Sequence, residues 1–231
     1  MKIIAANFKM NGNTQFIRNW FSNFNTDTEN LVVVGLPAIY LENSVRNFNT
    51  SNLKIAAQNV SKFNIPGAYT GQISPAMLKD VGVEFCIIGH SEARDYFSED
   101  NESIYEKYNC LKSVNIKSIV CIGESLEVRE AKNQLNFISD QIEKFKTMED
   151  EIIFAYEPIW AIGTGLVPTQ DQIEEMSCHI KSHFSQKISV LYGGSVNSNN
   201  SSEILNMKNI DGVLVGGASL NAEEFANIAQ S

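Results

Sequence analysis

Glu157 follows Phe154-Ala155-Tyr156, so a carboxylate closes an apolar run. Burying a carboxylate is costly unless it is paired or put to work. An apolar wall also makes a carboxylate a stronger base, suited to taking a weakly acidic carbon proton. His90 and Lys9 close two other apolar runs, Cys86-Ile87-Ile88-Gly89 and Ile3-Ile4-Ala5-Ala6-Asn7-Phe8. An imidazole and an ammonium facing such a base could stabilise negative charge developing on an enediolate oxygen. Two more runs end in glycine pairs, Gly193-Gly194 before Ser195 and Gly216-Gly217. Paired glycines expose backbone N–H groups of the kind that hold a phosphate. A base, an electrophile and a phosphate grip point to proton abstraction next to a carbonyl in a small sugar phosphate. Singly, Lys9 reads as a solvated lysine, His90 as a satisfied structural histidine and the glycines as tight turns. The functional reading rests on their occurring together.

The elements that would position these residues recur regularly. Eight short runs rich in Ile and Val span 2–8, 31–36, 53–58, 84–89, 117–122, 152–157, 188–192 and 211–215. Continuous apolar strands alternating with amphipathic helices indicate a parallel sheet covered by helices. Residues 98–114 open with Ser98 and early acidic residues, then place Ile104, Tyr108 and Leu111 on one helical face. Residues 124–145 repeat the pattern with Leu135, Ile138, Ile142 and Phe145. Eight such units predict a closed (β/α)₈ barrel of eight parallel strands ringed by helices, a single domain over 1–231. The rival is an open doubly wound sheet, which often carries a glycine-rich fingerprint after its first strand. Here Asn7-Phe8-Lys9-Met10-Asn11 stands there instead. In a barrel the active site lies at the C-terminal ends of the strands, where Asn7, Lys9, His90, Ser91, Glu92 and Glu157 all fall.

Composition narrows the partners. A net charge of −9 over 231 residues argues against sequence-blind binding of nucleic acid or anionic membranes. No apolar run reaches membrane-spanning length, and the short run after Met1 is not the core of a signal peptide; a cytoplasmic location is expected. Cys86, Cys110, Cys121 and Cys178 have no metal-finger spacing, and Cys86 and Cys121 read as reduced, buried thiols. His179 and His183 are four residues apart and could share a helix face with a metal, with Cys178 as third ligand. A solvated outer helix is the reading preferred here. Residues 158–165, Pro-Ile-Trp-Ala-Ile-Gly-Thr-Gly, expose apolar side chains in a loop, as a lid over ligand would.

The chain closely resembles the triosephosphate isomerase family over essentially its whole length. The matching segments are Asn7-Phe8-Lys9-Met10-Asn11, Gly67-Ala68-Tyr69-Thr70-Gly71, Ile88-Gly89-His90-Ser91-Glu92, residues 155–165, Leu191-Tyr192-Gly193-Gly194-Ser195-Val196 and Leu214-Val215-Gly216-Gly217-Ala218-Ser219. The resemblance implies interconversion of dihydroxyacetone phosphate and D-glyceraldehyde 3-phosphate, with no metal or organic cofactor. Glu157 would be the base and His90 the electrophile; the family is itself a worked example of a neutral histidine at a helix N-terminus. Lys9 would supply positive charge, Asn7 a hydrogen bond, and Glu92 positioning or relay. Ser91 would hold the base in the open site. Gly163, Ser195, Gly216 and Gly217 would offer backbone N–H groups to the phosphate. The resemblance also implies a homodimer, with the loop from Gln58 to Ile73 inserted into the partner and Thr70 close to the neighbouring active site.

Four positions depart from the family pattern. Phe8 replaces a usual Trp, Gln72 and Ala93 replace a usual Glu and Arg, and Leu166 replaces a usual Lys at the end of the lid. Loss of both partners of an ion pair predicts an altered dimer contact. Two other functions compete with the isomerase reading. A Schiff-base aldolase would use Lys9 as a nucleophile, and a non-catalytic sugar-phosphate binder would keep the fold without turnover.

Overall fold

The computed structural model describes residues 1–148, 151–162, 166 and 168–231. Eight parallel strands close into a barrel in sequence order: β1 (Ile3–Asn7), β2 (Leu31–Leu36), β3 (Leu53–Ala57), β4 (Phe85–Ile88), β5 (Lys117–Ile122), β6 (Ile152–Tyr156), β7 (Ile188–Tyr192) and β8 (Gly212–Val215). Closure joins β8 to β1, with Ala5 opposite Leu214. Each expected strand is present, trimmed by at most a residue at either end. The residues trimmed from the C-terminal ends of β1, β4 and β6 include Gly89 and Glu157, which already belong to the rim.

Alternation along the strands sorts the side chains into two cores, because successive residues point to opposite faces. Ala5, Val33, Ala56, Phe85, Ile87, Ile119, Cys121, Ile153, Ala155, Leu191 and Leu214 fill the barrel interior. The intervening residues, such as Ile4, Val34, Ile88, Val120, Phe154 and Val190, pack under the helices in a second and larger cluster. The same alternation carries past the strand ends. Asn7 is two residues beyond Ala5, Glu157 two beyond Ala155, Gly193 two beyond Leu191 and Gly216 two beyond Leu214. All four therefore face the barrel mouth. Phe8, in the place of the usual Trp, turns the other way and is fully buried against Trp20 and Phe16 in edge-to-face contacts.

Helix boundaries differ from the sequence expectation in two places. The helix expected at 98–114 begins at Asn101, because Asp100 rather than Ser98 caps it in a reciprocal capping box with Ser103. Ser98 instead ends the preceding helix Ser91–Phe97 in a left-handed conformation. Ile104, Tyr108 and Leu111 do form the buried face. The helix expected at 124–145 is divided into Leu126–Glu130, capped by Ser125, then Gln134–Ile142 and the 3₁₀ turn Glu143–Phe145. Ile138, Ile142 and Phe145 are buried, whereas Leu135 faces out. Glu124 stays outside the helix, at the rim.

Candidate active site

A cleft of about 270 Å³ opens at the C-terminal end of the barrel, lined by Asn7, Lys9, His90, Glu157, Ser195, Gly216 and Gly217 among others. Six of the expected residues thus meet around one cavity with Glu157; Gly163, and the end of the expected lid at 163–165, lie outside the described residues.

Glu157 leaves β6 with its backbone N–H bonded to Ile122 O at 2.7 Å, which continues the β5–β6 ladder one residue past the strands. Its side chain is almost fully buried. One carboxylate oxygen stands 3.3 Å from His90 Nε2. Beneath it, burial and the Glu157 carboxylate hold the Cys121 thiol well above its ordinary pKa. Ser91, expected to hold the base in the open site, is buried but has no hydrogen bond to Glu157 among the described residues; the carboxylate points at His90 instead.

His90 is the N-cap of the helix Ser91–Phe97, and its Nδ1 accepts the Glu92 backbone N–H at 3.2 Å. In the neutral ring that bond places the proton on Nε2, the nitrogen that faces Glu157. A cap has thereby selected the tautomer that can donate into the cleft. The Glu92 side chain lies on the other flank, 3.7 Å from His90 Nδ1 and 2.5 Å from Lys9 Nζ.

Lys9 has a φ of 53°, the left-handed region that side chains avoid. Two neighbours hold it there. Asn7 Oδ1 accepts the Lys9 backbone N–H at 2.9 Å, and Gln58 Nε2 braces Asn7 Oδ1 at 3.2 Å and Gly35 O at 3.0 Å. The strained turn aims the ammonium along the rim into the pairing with Glu92.

On the opposite side, the backbone N–H groups of Ser195, Gly216 and Gly217 have no hydrogen-bond partner among the described residues. The turns that present them are fixed from behind. Asn200 Nδ2 donates to Ser195 O at 2.8 Å, and the Ser219 amide and hydroxyl both donate to Gly216 O. Ser195 Oγ in turn donates to Ala161 O at 3.1 Å, tying this side of the cleft to the segment after Glu157.

Sequence reasoning missed the support beneath these residues. Glu124 is fully buried, and one of its oxygens accepts from Tyr156 Oη at 3.0 Å, Trp160 Nε1 at 3.1 Å and Arg129 Nη1 at 3.2 Å. Its carbonyl accepts the Ile159 N–H. The first part of the expected lid is therefore pinned in a 3₁₀ turn, Ile159–Ala161, with Ala161 buried and Trp160 half-buried rather than exposed. Arg94 was also missed; it donates to Gly89 O, Cys121 O and Asn101 Oδ1, bracing the ends of β4 and β5 beneath His90 and Glu157. The one signal was position: each follows a strand end by a few residues.

His179, His183 and Cys178 do not form the three-ligand set weighed from sequence. No group of three or more His, Cys, Asp or Glu able to hold a metal occurs among the described residues. Nor does the histidine pair face solvent freely, because it packs against Ser139 of the helix Gln134–Ile142.

Comparison with known proteins agrees with this geometry. The family model described as triosephosphate isomerase matches residues 2–231. The chain is 42% identical to the triosephosphate isomerase of Alkaliphilus oremlandii, over 98% of this chain and 97% of that protein. It is 39% identical to that of Fusobacterium nucleatum, over 99% and 98%, and 41% identical to that of Neurospora crassa, over 95% and 94%. With a closed eight-stranded barrel and a full-length family match, this chain belongs to the triosephosphate isomerase family.

Proposed function

We propose that this chain is an isomerase that interconverts dihydroxyacetone phosphate and D-glyceraldehyde 3-phosphate, the step that links these trioses in glycolysis and gluconeogenesis. The observation that carries the reading is the buried Glu157 carboxylate facing His90 Nε2 at 3.3 Å across a closed-ended cleft. Glu157 takes a proton from the carbon bearing the hydroxyl group, next to the carbonyl. The electron pair left behind moves to the carbonyl oxygen and makes an enediolate. His90 Nε2–H and the Lys9 ammonium stabilise that oxygen. The proton of the neighbouring hydroxyl passes by way of His90 Nε2 to that oxygen, Glu157 returns its proton to the former carbonyl carbon, and the charge left on the other oxygen reforms the carbonyl one position away.

Asn7 spends its side-chain oxygen on Lys9 and Gln58, so its amide N–H groups remain for substrate. Glu92 positions both Lys9 and His90. Ser195, Gly216 and Gly217 offer N–H groups to the phosphate, and Gly163 is proposed to join them. The whole chain, 1–231, acts as one catalytic domain. An aldolase mechanism fits less well, because the Lys9 ammonium is engaged by Glu92 in the manner of a charge donor rather than of a free amine.

A homodimer is proposed on a topological ground. Leaving aside the N-terminal Met1, the most exposed large apolar side chains among the described residues are Met10, Ile39, Ile65, Tyr96 and Phe97. They follow β1, β2, β3 and β4 in turn, so they share one sector of the rim. A partner covering that sector would receive the loop from Gln58 to Ile73 and bring Thr70 toward the neighbouring cleft. No described helix is long and apolar enough to cross a membrane, and a cytoplasmic location is proposed with the glycolytic role.

Turnover in heavy water tests the chemistry. Proton transfer through a carboxylate that exchanges with solvent puts deuterium on the carbon next to the product carbonyl, visible by NMR. Turnover without deuterium would point to hydride transfer and remove Glu157 as base.

A further inference from the structure

On the outer wall, away from the cleft, four donor atoms converge that no step of the isomerisation uses. His179 lies on the helix Gln170–Ser182 and His183 caps its end. Their Nε2 atoms are 3.3 Å apart. Ser139 Oγ, on the facing helix Gln134–Ile142, stands 2.9 Å from His179 Nε2 and 3.2 Å from His183 Nε2. Leu135 O lies 3.0 Å from His179 Nε2 and 2.8 Å from Ser139 Oγ.

Two features of this cluster are those of a cation site. The first is spacing. Two ligands bound at roughly 2.0–2.1 Å to one tetrahedral zinc stand about 3.3 Å apart, the separation the two imidazole nitrogens already have. The second is lone-pair convergence. The Ser139 hydroxyl proton goes to Leu135 O. Without a metal, Leu135 O can accept from His179 Nε2 and Ser139 Oγ from His183 Nε2, so both rings have partners. With the ring protons on Nδ1 instead, both Nε2 lone pairs face one point, and a divalent cation takes them at once.

We propose that His179 and His183, with Ser139 Oγ and Leu135 O completing the shell, bind one divalent transition-metal ion of the zinc class. The ion clips the helix Gln134–Ile142 to the helix Gln170–Ser182. Burial, reinforced by Lys146 and by His179 and opposed by Glu143, pushes the His183 imidazole below its ordinary pKa, toward the neutral form that ligates. Cys178, the third ligand weighed from the sequence, is exposed. As the immediate neighbour of His179 it projects from a different side of the helix. Ser139 and a carbonyl from the facing helix stand where that thiol was expected. With two strong ligands rather than three or four, affinity falls in the micromolar range of clip sites, well short of a structural zinc finger.

Titration of the metal-stripped full chain with zinc chloride, followed by calorimetry, tests the site. One ion should bind per chain. Binding should weaken at least about tenfold in His179→Ala and in His183→Ala, and stay unchanged in Cys178→Ser. Zinc should raise the thermal midpoint of the parent but not of His183→Ala. The chain has only three histidines, so side-chain nitrogen NMR reads the site without any substitution. Zinc should move the ring signals of His179 and His183 and leave those of His90 in place. No saturable uptake by the parent, uptake that survives His183→Ala, loss in Cys178→Ser alone, or movement of His90 instead would each overturn the proposal.

Discussion

Gly193 packs so tightly against Glu157 that a Cβ built on the glycine would lie 2.8 Å from Glu157 Cγ and 3.4 Å from Oε1. β7 thus serves as a backstop to the Glu157 side chain, and a Cβ at Gly193 fits only if that side chain shifts. In Gly193→Ala the carboxylate must move. A misplacement of about 1 Å costs on the order of 10²-fold in rate. The expected outcome is a kcat lower by about that factor with a nearly unchanged KM, measured by steady-state kinetics. A folded variant with parental kcat would show that the carboxylate does not depend on this contact.

Gly217 is the opposite case. A Cβ there meets nothing within 4 Å, and its backbone needs no left-handed angle. Gly217→Val should therefore leave the thermal midpoint close to that of the parent. If the phosphate occupies that space, the added methyl groups exclude it and KM rises at least about tenfold. An unchanged KM would place the phosphate elsewhere.

Cys86 and Cys121 are buried, and burial pushes both thiols above the ordinary value of 9.0. A raised value means the folded state holds these protons more tightly than the unfolded chain does. The stability these two thiols contribute is therefore fully present below pH 9 and declines as the pH rises above the ordinary thiol value. Cys178 is exposed. A thiol dye should label Cys178 first at about pH 8, and Cys86 and Cys121 only on unfolding. Rapid labelling of Cys121 in the folded protein, followed by mass spectrometry, would contradict this assignment.

The proposed dimer lacks one expected ion pair, since Gln72 and Ala93 stand where Glu and Arg are usual. Contact then rests on the apolar set Met10, Ile39, Ile65 and Phe97. Ile65→Lys should shift sedimentation from dimer to monomer at micromolar concentration and lower activity in proportion. A parent that sediments as a monomer at every concentration would remove the dimer from the account.

Strands and chemistry were legible together in the sequence because they use the same signal. Ile153, Ala155 and Glu157 alternate inward, so a polar residue ending an apolar run both marks the strand and points into the mouth. The supports were not legible. Glu124 read as the first residue of a helix, yet it is fully buried under Tyr156, Trp160 and Arg129, partners as far as 36 residues away. Gln58 read as a strand end and Arg94 drew no reading at all, yet both brace the backbone beneath Asn7, His90 and Glu157. Such roles depend on which loops the closed barrel brings side by side, and no local spacing encodes that. Asp100 displaced Ser98 as a helix cap for a related reason: both suit the role, and only the reciprocal bond with Ser103 decides between them.

The central claim is that Glu157 moves the proton between two carbons of a triose phosphate. The direct measurement is conversion of D-glyceraldehyde 3-phosphate to dihydroxyacetone phosphate by purified chain without added cofactor, read by a coupled dehydrogenase, beside Glu157→Gln. The amide keeps the size of the side chain but cannot accept the proton. Rapid turnover by the parent and a kcat lower by roughly 10²–10⁴-fold in the variant is the expected result. Equal turnover by both would take the base role from Glu157, and a folded parent with no turnover would contradict the isomerase itself.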